Sequence, residues 1–127
     1  MTSEGPQLDS HRRAVTAARA AAEKKAEDTL VLDVGDIIGI TETFVITSGT
    51  NTRQVRTICE EIEEAMKAED GTGPRSIEGL HDASWVLMDY GDLVVHVFLA
   101  ETREYYALER LWTDAPRIAW ESARAAS

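Results

Sequence analysis

The sequence predicts an α/β domain in which a mixed β-sheet of about five strands packs against helices. Two observations lead to this prediction. Short runs rich in β-branched and aromatic residues alternate with longer runs whose apolar residues recur at helical spacing. The run Leu93–Leu99 is almost continuously apolar, which is typical of a central strand covered on both faces. A chain of 127 residues is long enough to form one such domain with its own core.

The N-terminal part is predicted to be a tail followed by a surface helix. Residues 1–9 are expected to be disordered, residues 10–116 to form the domain, and residues 117–127 to be a C-terminal helical tail. Ser10–Asp28 lacks Gly and Pro and is rich in Ala, Arg, Glu and Lys, which favour a helix. Its apolar residues are mostly small, and this indicates a shallow contact with the rest of the domain.

Two strands and a long helix follow. Thr29–Val34 and Thr43–Thr47 are short β-rich runs and are predicted to be strands. The turn Ser48-Gly49-Thr50-Asn51 leads into a helix over Thr52–Ala68, which the Asn51 side chain can cap. The buried stripe of this helix is predicted from apolar residues at helical spacing, which are Val55, Ile58, Cys59, Ile62 and Met66.

The C-terminal half is predicted to contain a β-hairpin. Trp85–Tyr90 and Leu93–Leu99 flank Gly91-Asp92, a hairpin signal. Alternate residues of the first strand face opposite ways, so one set faces the core and the other a helix layer or a partner. The two sets are Trp85, Leu87 and Asp89 on one side and Val86, Met88 and Tyr90 on the other.

Three further elements complete the prediction. Arg75–Glu78 is expected to be a short strand, and Glu101–Leu111 a helix. Asp114 can cap a final helix, with Pro116 in its first turn.

The charge of the chain favours a basic macromolecular partner over nucleic acid. The formal net charge is −10, and residues 28–112 carry six Lys and Arg against seventeen Asp and Glu. Nucleic-acid phosphates repel such a surface, whereas a basic protein attracts it. The alternative is that the acidity only aids solubility. No stretch approaches the roughly 20 apolar residues of a membrane span, and the first 13 residues are polar, so we expect a cytoplasmic protein.

The sequence offers no convincing catalytic, cofactor or metal site. Cys59 is the only cysteine, and neither a disulfide nor a thiolate zinc site is expected. No two histidines are spaced as helical metal ligands. The Ser48-Gly49 turn precedes a helix, but it lacks the lysine and the glycine spacing of a phosphate-binding loop. Asp89 and Asp92 straddle a turn and lack the spacing of paired metal-binding carboxylates. A divergent nucleotidyltransferase using Ser48, Gly49 and Asp89 stays open as an alternative.

Several segments resemble the RsfS/Iojap family of ribosomal silencing factors. They are W-V-L-M-D-Y-G-D-L-V-V-H-V-F over Trp85–Phe98, and T-E-T-F-V-I-T-S-G-T-N-T-R-Q-V over Thr41–Val55. I-E-G-L over Ile77–Leu80 and R-E-Y-Y-A-L-E-R-L-W over Arg103–Trp112 complete the likeness, in the same order and spacing from about Ala26 to Pro116.

This resemblance implies a fold, a partner and a mechanism. The implied fold is nucleotidyltransferase-like without the catalytic acids. The implied partner is large-subunit ribosomal protein fourteen, whose occupation sterically blocks subunit joining and lowers translation when nutrients are scarce. Relatives in organelles act in ribosome assembly, so a large-subunit assembly factor using the same contact is the alternative. Family members are commonly homodimers when free.

The hairpin and the helix after it supply the expected ribosomal-protein contacts. Exposed Trp and Tyr are typical interface anchors, although core packing is the alternative for the hairpin. The first contacts are expected at Trp85, Leu87, Asp89 and Tyr90, with Asp92, His96 and Phe98 behind them. Arg103 and Tyr105 form a second rank with Trp112, which is also a candidate for the core.

Overall fold

The computed structural model describes residues 6–121 and confirms an α/β fold built on one mixed five-stranded sheet. The sheet order is β1-β2-β5-β4-β3, with β2 and β5 parallel and the other neighbours antiparallel. In chain order the elements are α1 (Pro6–Glu23), β1 (Glu27–Asp33), α2 (Gly35–Ile38), β2 (Thr43–Gly49), α3 (Thr52–Asp70), β3 (Ser76–Glu78), β4 (Trp85–Asp89), β5 (Leu93–Leu99), α4 (Ala100–Tyr106) and a 3₁₀ helix (Leu108–Trp112).

Strand β5 is the centre of the sheet, with the boundaries that its apolar run predicts. Val95 lies opposite Val45 of β2 on one side and Met88 of β4 on the other, and all three are 0% exposed. A strand covered on both faces needs apolar residues at both odd and even positions, which explains the lack of alternation in its sequence.

Helices α1 and α3 cover one face of the sheet and form the larger core with it. The five residues of the predicted α3 stripe are all buried. The prediction of a shallow contact for α1 is wrong, since Ala14, Ala17, Ala18 and Ala21 are 0% exposed. Small side chains let two helices approach closely, so an alanine-rich stripe can be a core surface as well as a solvent-facing one.

The opposite face of the sheet, here called the outer face, has a smaller and less complete cover. It is contacted by the one-turn helix α2, the 3₁₀ helix and the chain around Ala115. Its buried cluster comprises Leu32, Val34, Phe44, Ile46, Phe98 and Ala115, with Ile38, Trp85, Val94, Leu108 and Trp112 packed partly buried at its margin.

The helix boundaries differ from the prediction at two places. Helix α1 begins at Pro6, so the predicted tail is wrong for residues 6–9, while residues 1–5 lie outside the described part. The helix predicted over Glu101–Leu111 ends at Tyr106, because Ala107 adopts the left-handed conformation with φ 48°. A 3₁₀ helix follows it and carries the chain over the outer face.

The prediction of a final helix is wrong for residues 114–121. Arg117 instead pairs with Leu32 at the free edge of β1, and the Ile118 N–H donates to the Val31 carbonyl at 2.8 Å. An edge strand offers unpaired backbone groups, and pairing with them satisfies this segment better than a surface helix would. Residues 122–127 lie outside the described part. No helix within residues 6–121 has the length and apolarity needed to cross a membrane.

Candidate protein-binding face

Strand β4 divides its residues between the two faces of the sheet as the alternation predicts. Val86 and Met88 are 0% exposed and belong to the core under the helices. Trp85, Leu87 and Asp89 are half-buried on the outer face. The short elements that cover the outer face leave these three side chains partly open to solvent.

Trp85 is held by contacts on three sides. Its ring centroid lies 4.8 Å from that of Phe98 and 5.1 Å from that of Tyr106. Its indole N–H donates to His96 Nδ1 at 3.2 Å. Offset aromatic contacts and a hydrogen bond together fix the plane of the ring.

His96 lies beneath this surface, where it is 5% exposed. Phe44 meets its ring edge-on with centroids 4.7 Å apart, and Phe98 stacks with it at 6.3 Å. Burial lowers the pKa of His96 to about 4, because a charged imidazolium is poorly solvated among aromatic rings. The side chain is therefore neutral at physiological pH, with Nδ1 as an acceptor.

A groove of about 370 Å³ runs across the outer face beside His96. Most of its walls are apolar, and Arg75 and Asp89 lie at its polar end with Nη2 and Oδ2 3.6 Å apart. The residues lining the groove are Ile38, Ile40, Thr41, Phe44, Arg75, Leu87, Asp89, Gly91, Val94 and His96. Predominantly apolar concavities with a few polar groups are typical binding sites.

Exposed apolar side chains lie at both ends of this face. Ile40, after α2, is 86% exposed. Tyr105 and Tyr106 on α4 are 81% and 55% exposed, and their rings meet edge-on at 4.9 Å. Because Tyr106 also packs on Trp85, the two tyrosines extend the surface that begins at the hairpin. A contiguous apolar patch of this kind is typical of a protein-binding surface.

Two predicted contact residues belong to the opposite side of the sheet. Tyr90 is 7% exposed and lies in the core under the helices, with the Arg13 guanidinium 5.4 Å from its ring centroid. Asp92 accepts a short hydrogen bond from that same guanidinium. Tyr90 is therefore covered by the fold, whereas the Asp92 side chain keeps 30% exposure on the side of the sheet opposite Trp85. A contact of either residue with a partner stays a prediction.

Three further predicted contacts are covered. Phe98 is 0% exposed and His96 5%, so both support the outer face from beneath. Arg103 is 8% exposed and bonds Ser48 Oγ at 3.2 Å and the Glu27 carbonyl at 3.4 Å. Of the nine predicted contacts, Trp85, Leu87, Asp89 and Tyr105 have surface positions that suit direct contact. Trp112 packs half-buried on Phe44, with ring centroids 5.6 Å apart.

The prediction missed Ile40, Tyr106 and Arg75 as parts of this surface. Ile40 follows Gly39, which ends α2 in a left-handed conformation with φ 83°. A residue just after such a turn lies outside the regular strands and helices that form the core. This position of Ile40 in the sequence was the available signal that its side chain is exposed. For Tyr106 the sequence offered only its neighbour Tyr105, since consecutive helical residues point about 100° apart and the exposure of one does not fix that of the other.

The residues of the nucleotidyltransferase alternative are far apart. Ser48 lies opposite Phe98 of β5 and Asp89 opposite Val94, four residues away along that strand. At about 3.3 Å per residue this separation is ~13 Å along the strand direction alone. Within residues 6–121 no group of three or more His, Cys, Asp or Glu is placed to hold a metal ion.

The helix end beside Ser48 is filled by the chain's own side chains. Asn51 Oδ1 accepts from the Gln54 N–H at 2.8 Å, which confirms the predicted cap. Gln54 Oε1 in turn accepts from the Thr50 N–H at 2.7 Å. These groups satisfy donors that a phosphate would otherwise use.

The fold and its outer face define an α/β protein with one partly open, largely apolar sheet face. The chain belongs to the family described as "Ribosomal silencing factor during starvation", which it matches over residues 7–127. It is 45% identical to a ribosomal silencing factor of Bacillus subtilis over 100 residues, which cover 79% of this chain and 84% of that protein. Membership of this family implies ribosome-associated regulation.

Two further comparisons extend this result. A crystal structure from Chromobacterium violaceum is similar with a TM-score of 0.76 at 30% identity, covering 81% of this chain and 85% of that one. A mouse protein named "Mitochondrial assembly of ribosomal large subunit protein 1" is 37% identical over 93 residues, which are 72% of this chain and 41% of that protein. The Bacillus subtilis relative is named as a ribosomal silencing factor and the mouse relative for assembly of the ribosomal large subunit, and neither name describes an enzyme.

Proposed function

We propose that this protein binds large-subunit ribosomal protein fourteen through its outer face and sterically blocks association of the two ribosomal subunits. In this way it represses translation when nutrients are limited. It acts without a catalytic step, and in the cytoplasm, where it meets the large subunit. The family resemblance further implies a homodimer when free, which sedimentation equilibrium of the purified protein tests directly.

The observation that carries the proposal is the patch of partly open apolar side chains on the outer face. Ile40 and Tyr105 project into solvent on either side of the half-buried Trp85, Leu87 and Asp89. Aromatic and large aliphatic side chains around a groove supply the buried anchors of a protein interface. The neighbouring Arg75 and Asp89 add polar groups that fix orientation.

Charge supports a basic partner for this face. The net charge of −10 is concentrated between residues 28 and 112, the region that contains β4, β5 and α4. Ribosomal proteins that lie on RNA are basic as a consequence of that contact, so an acidic protein is attracted to their free surfaces. The same charge disfavours direct contact with RNA phosphates.

Binding of purified ribosomal protein fourteen by surface variants tests the proposal. Ile40→Ser and Tyr105→Ser are expected to weaken binding by about tenfold each, because each removes a solvent-exposed anchor without opening the core. Leu80→Ser is the control, since Leu80 is also solvent-exposed, at 39%, but does not line the groove. Unchanged affinity of both outer-face variants would refute this placement.

A large-subunit assembly role is the second candidate, and the name of the mouse relative favours it. Both roles use the same contact, so binding alone does not separate them. Sedimentation of purified mature subunits does: a silencing factor keeps them apart, and the Tyr105→Ser variant should restore joining. Unhindered joining at excess wild-type protein, with binding intact, would favour assembly over silencing.

A further inference from the structure

Two ring contacts and one hydrogen bond hold Trp85. Its indole N–H donates to His96 Nδ1 at 3.2 Å, and within residues 6–121 the indole has no other hydrogen-bond partner. The flanking rings of Phe98 and Tyr106 are tilted by 30° and 46° to the indole. These contacts resist movement of the indole away from its neighbours, whereas the hydrogen bond sets which edge of the indole points inward.

The acceptor is itself fixed in place and in tautomer. His96 lies on the central strand β5, is 5% exposed, and is flanked by Phe44 and Phe98. Accepting a bond at Nδ1 requires the neutral ring with its proton on Nε2. Nε2 is buried and has no hydrogen-bond partner among residues 6–121, so within this part of the chain no competing bond would rotate the ring. The lowered pKa of His96 agrees with this neutral form.

We propose that His96 is a positioning residue for the outer face: its Nδ1 holds the Trp85 indole in the orientation that the ribosomal partner contacts. The inference rests on the proposed function. It assigns His96 an indirect role, because its own ring is covered and the partner meets Trp85. A preordered anchor loses less side-chain freedom on binding, which corresponds to roughly two- to tenfold in affinity for one large side chain.

Two variants of His96 separate positioning from simple packing. His96→Asn keeps an acceptor, because Asn Oδ1 and His Nδ1 are each two bonds from Cβ. His96→Leu keeps an apolar side chain of similar bulk but removes the acceptor. If His96 only fills space, the leucine variant should bind as well as wild type, since it also removes an unpartnered buried N–H.

The positioning role predicts a different result. His96→Leu should bind ribosomal protein fourteen about two- to tenfold more weakly, and His96→Asn close to wild type. Trp85→Phe, which keeps a ring but lacks the N–H and part of the contact surface, should lose at least as much affinity, and adding His96→Leu to it should cause no further loss. In a ¹⁵N-labelled protein the indole resonance that Trp85→Phe removes should shift in His96→Leu and stay near its place in His96→Asn.

Additive losses in the double variant, or wild-type affinity in His96→Leu, would overturn the proposal. If circular dichroism shows that His96→Leu does not fold, the affinities of Trp85→Phe and His96→Asn still test the proposal. Wild-type affinity of Trp85→Phe would refute the positioning role. If wild-type protein itself does not bind ribosomal protein fourteen, the proposed function fails. The indole resonances then test the hydrogen bond between His96 and Trp85 independently of binding. A Trp85 indole resonance that does not shift in His96→Leu would refute this hydrogen bond.

Discussion

Acid should destabilise this protein through His96. Burial lowers its pKa from 6.5 to about 4 in the folded state, so between these values the unfolded chain binds the proton and the folded chain does not. The stability contributed by the neutral buried ring is therefore complete above pH ~6.5 and is lost as the pH falls towards ~4. The difference between the two pKa values corresponds to about 3 kcal/mol, of which about 2 kcal/mol is lost by pH ~4.5.

Urea denaturation of wild type and His96→Asn at about pH 7 and about pH 4.5 measures this loss. Asparagine does not titrate, so the free energy of unfolding of wild type should fall by about 2 kcal/mol more than that of the variant. His11, His81 and all carboxylates are common to both proteins, and their contributions cancel in the comparison. The same holds for Arg75 and Asp89, the charged groups that line the groove with His96. Equal losses in the two proteins would refute the assignment of a neutral, buried His96.

Two further predictions concern charge. Arg13→Met should lower the free energy of unfolding by roughly 2 kcal/mol in a urea titration. The reason is that Arg13 bonds Asp70, Asp92 and Thr72, and these bonds connect α1 to the end of α3 and to the β4–β5 turn. Arg53→Met, at an exposed position on α3, is the control and should change the free energy of unfolding little. If the acidic residues between 28 and 112 attract the protein to a basic partner, salt should slow its association with ribosomal protein fourteen. Raising the ionic strength from ~0.05 to ~0.5 M should lower the association rate about tenfold in stopped flow and change the dissociation rate less. An association rate independent of salt would contradict this electrostatic attraction.

The sheet was predictable because its strands carry local signals. Leu93–Leu99 has no polar break except His96, and the Gly91-Asp92 turn fixes where the hairpin reverses. The α3 cap was equally local, since Asn51 and Gln54 are three residues apart. The wrong helix after Asp114 had good local signals too, but pairing with the free edge of β1 is a long-range contact that no local pattern records.

The binding face was only partly predictable for a related reason. Alternation assigns Trp85 and Leu87 to one face and Tyr90 to the other, but it does not show which face the helices cover. The predicted contact site combined Trp85, Leu87 and Asp89 of one set with Tyr90 of the other, and the structure shows that Tyr90 lies on the face that the helices cover. His96 and Phe98 share the face of Trp85 but lie on the central strand, so the 3₁₀ helix and neighbouring side chains cover them.

The unequal cover of the two faces is what makes the outer face available to a partner. Helices α1 and α3, of 18 and 19 residues, cover one face, and small alanines let α1 pack tightly there. The other face has the four-residue α2 and a five-residue 3₁₀ helix, each too short to span a five-stranded sheet. The groove beside Leu87 and Val94, with Ile38 of α2 in its wall, is left open between these short elements. Burial of the groove against another protein would cover this face as α1 and α3 cover the opposite one, which makes the groove a candidate protein-binding surface.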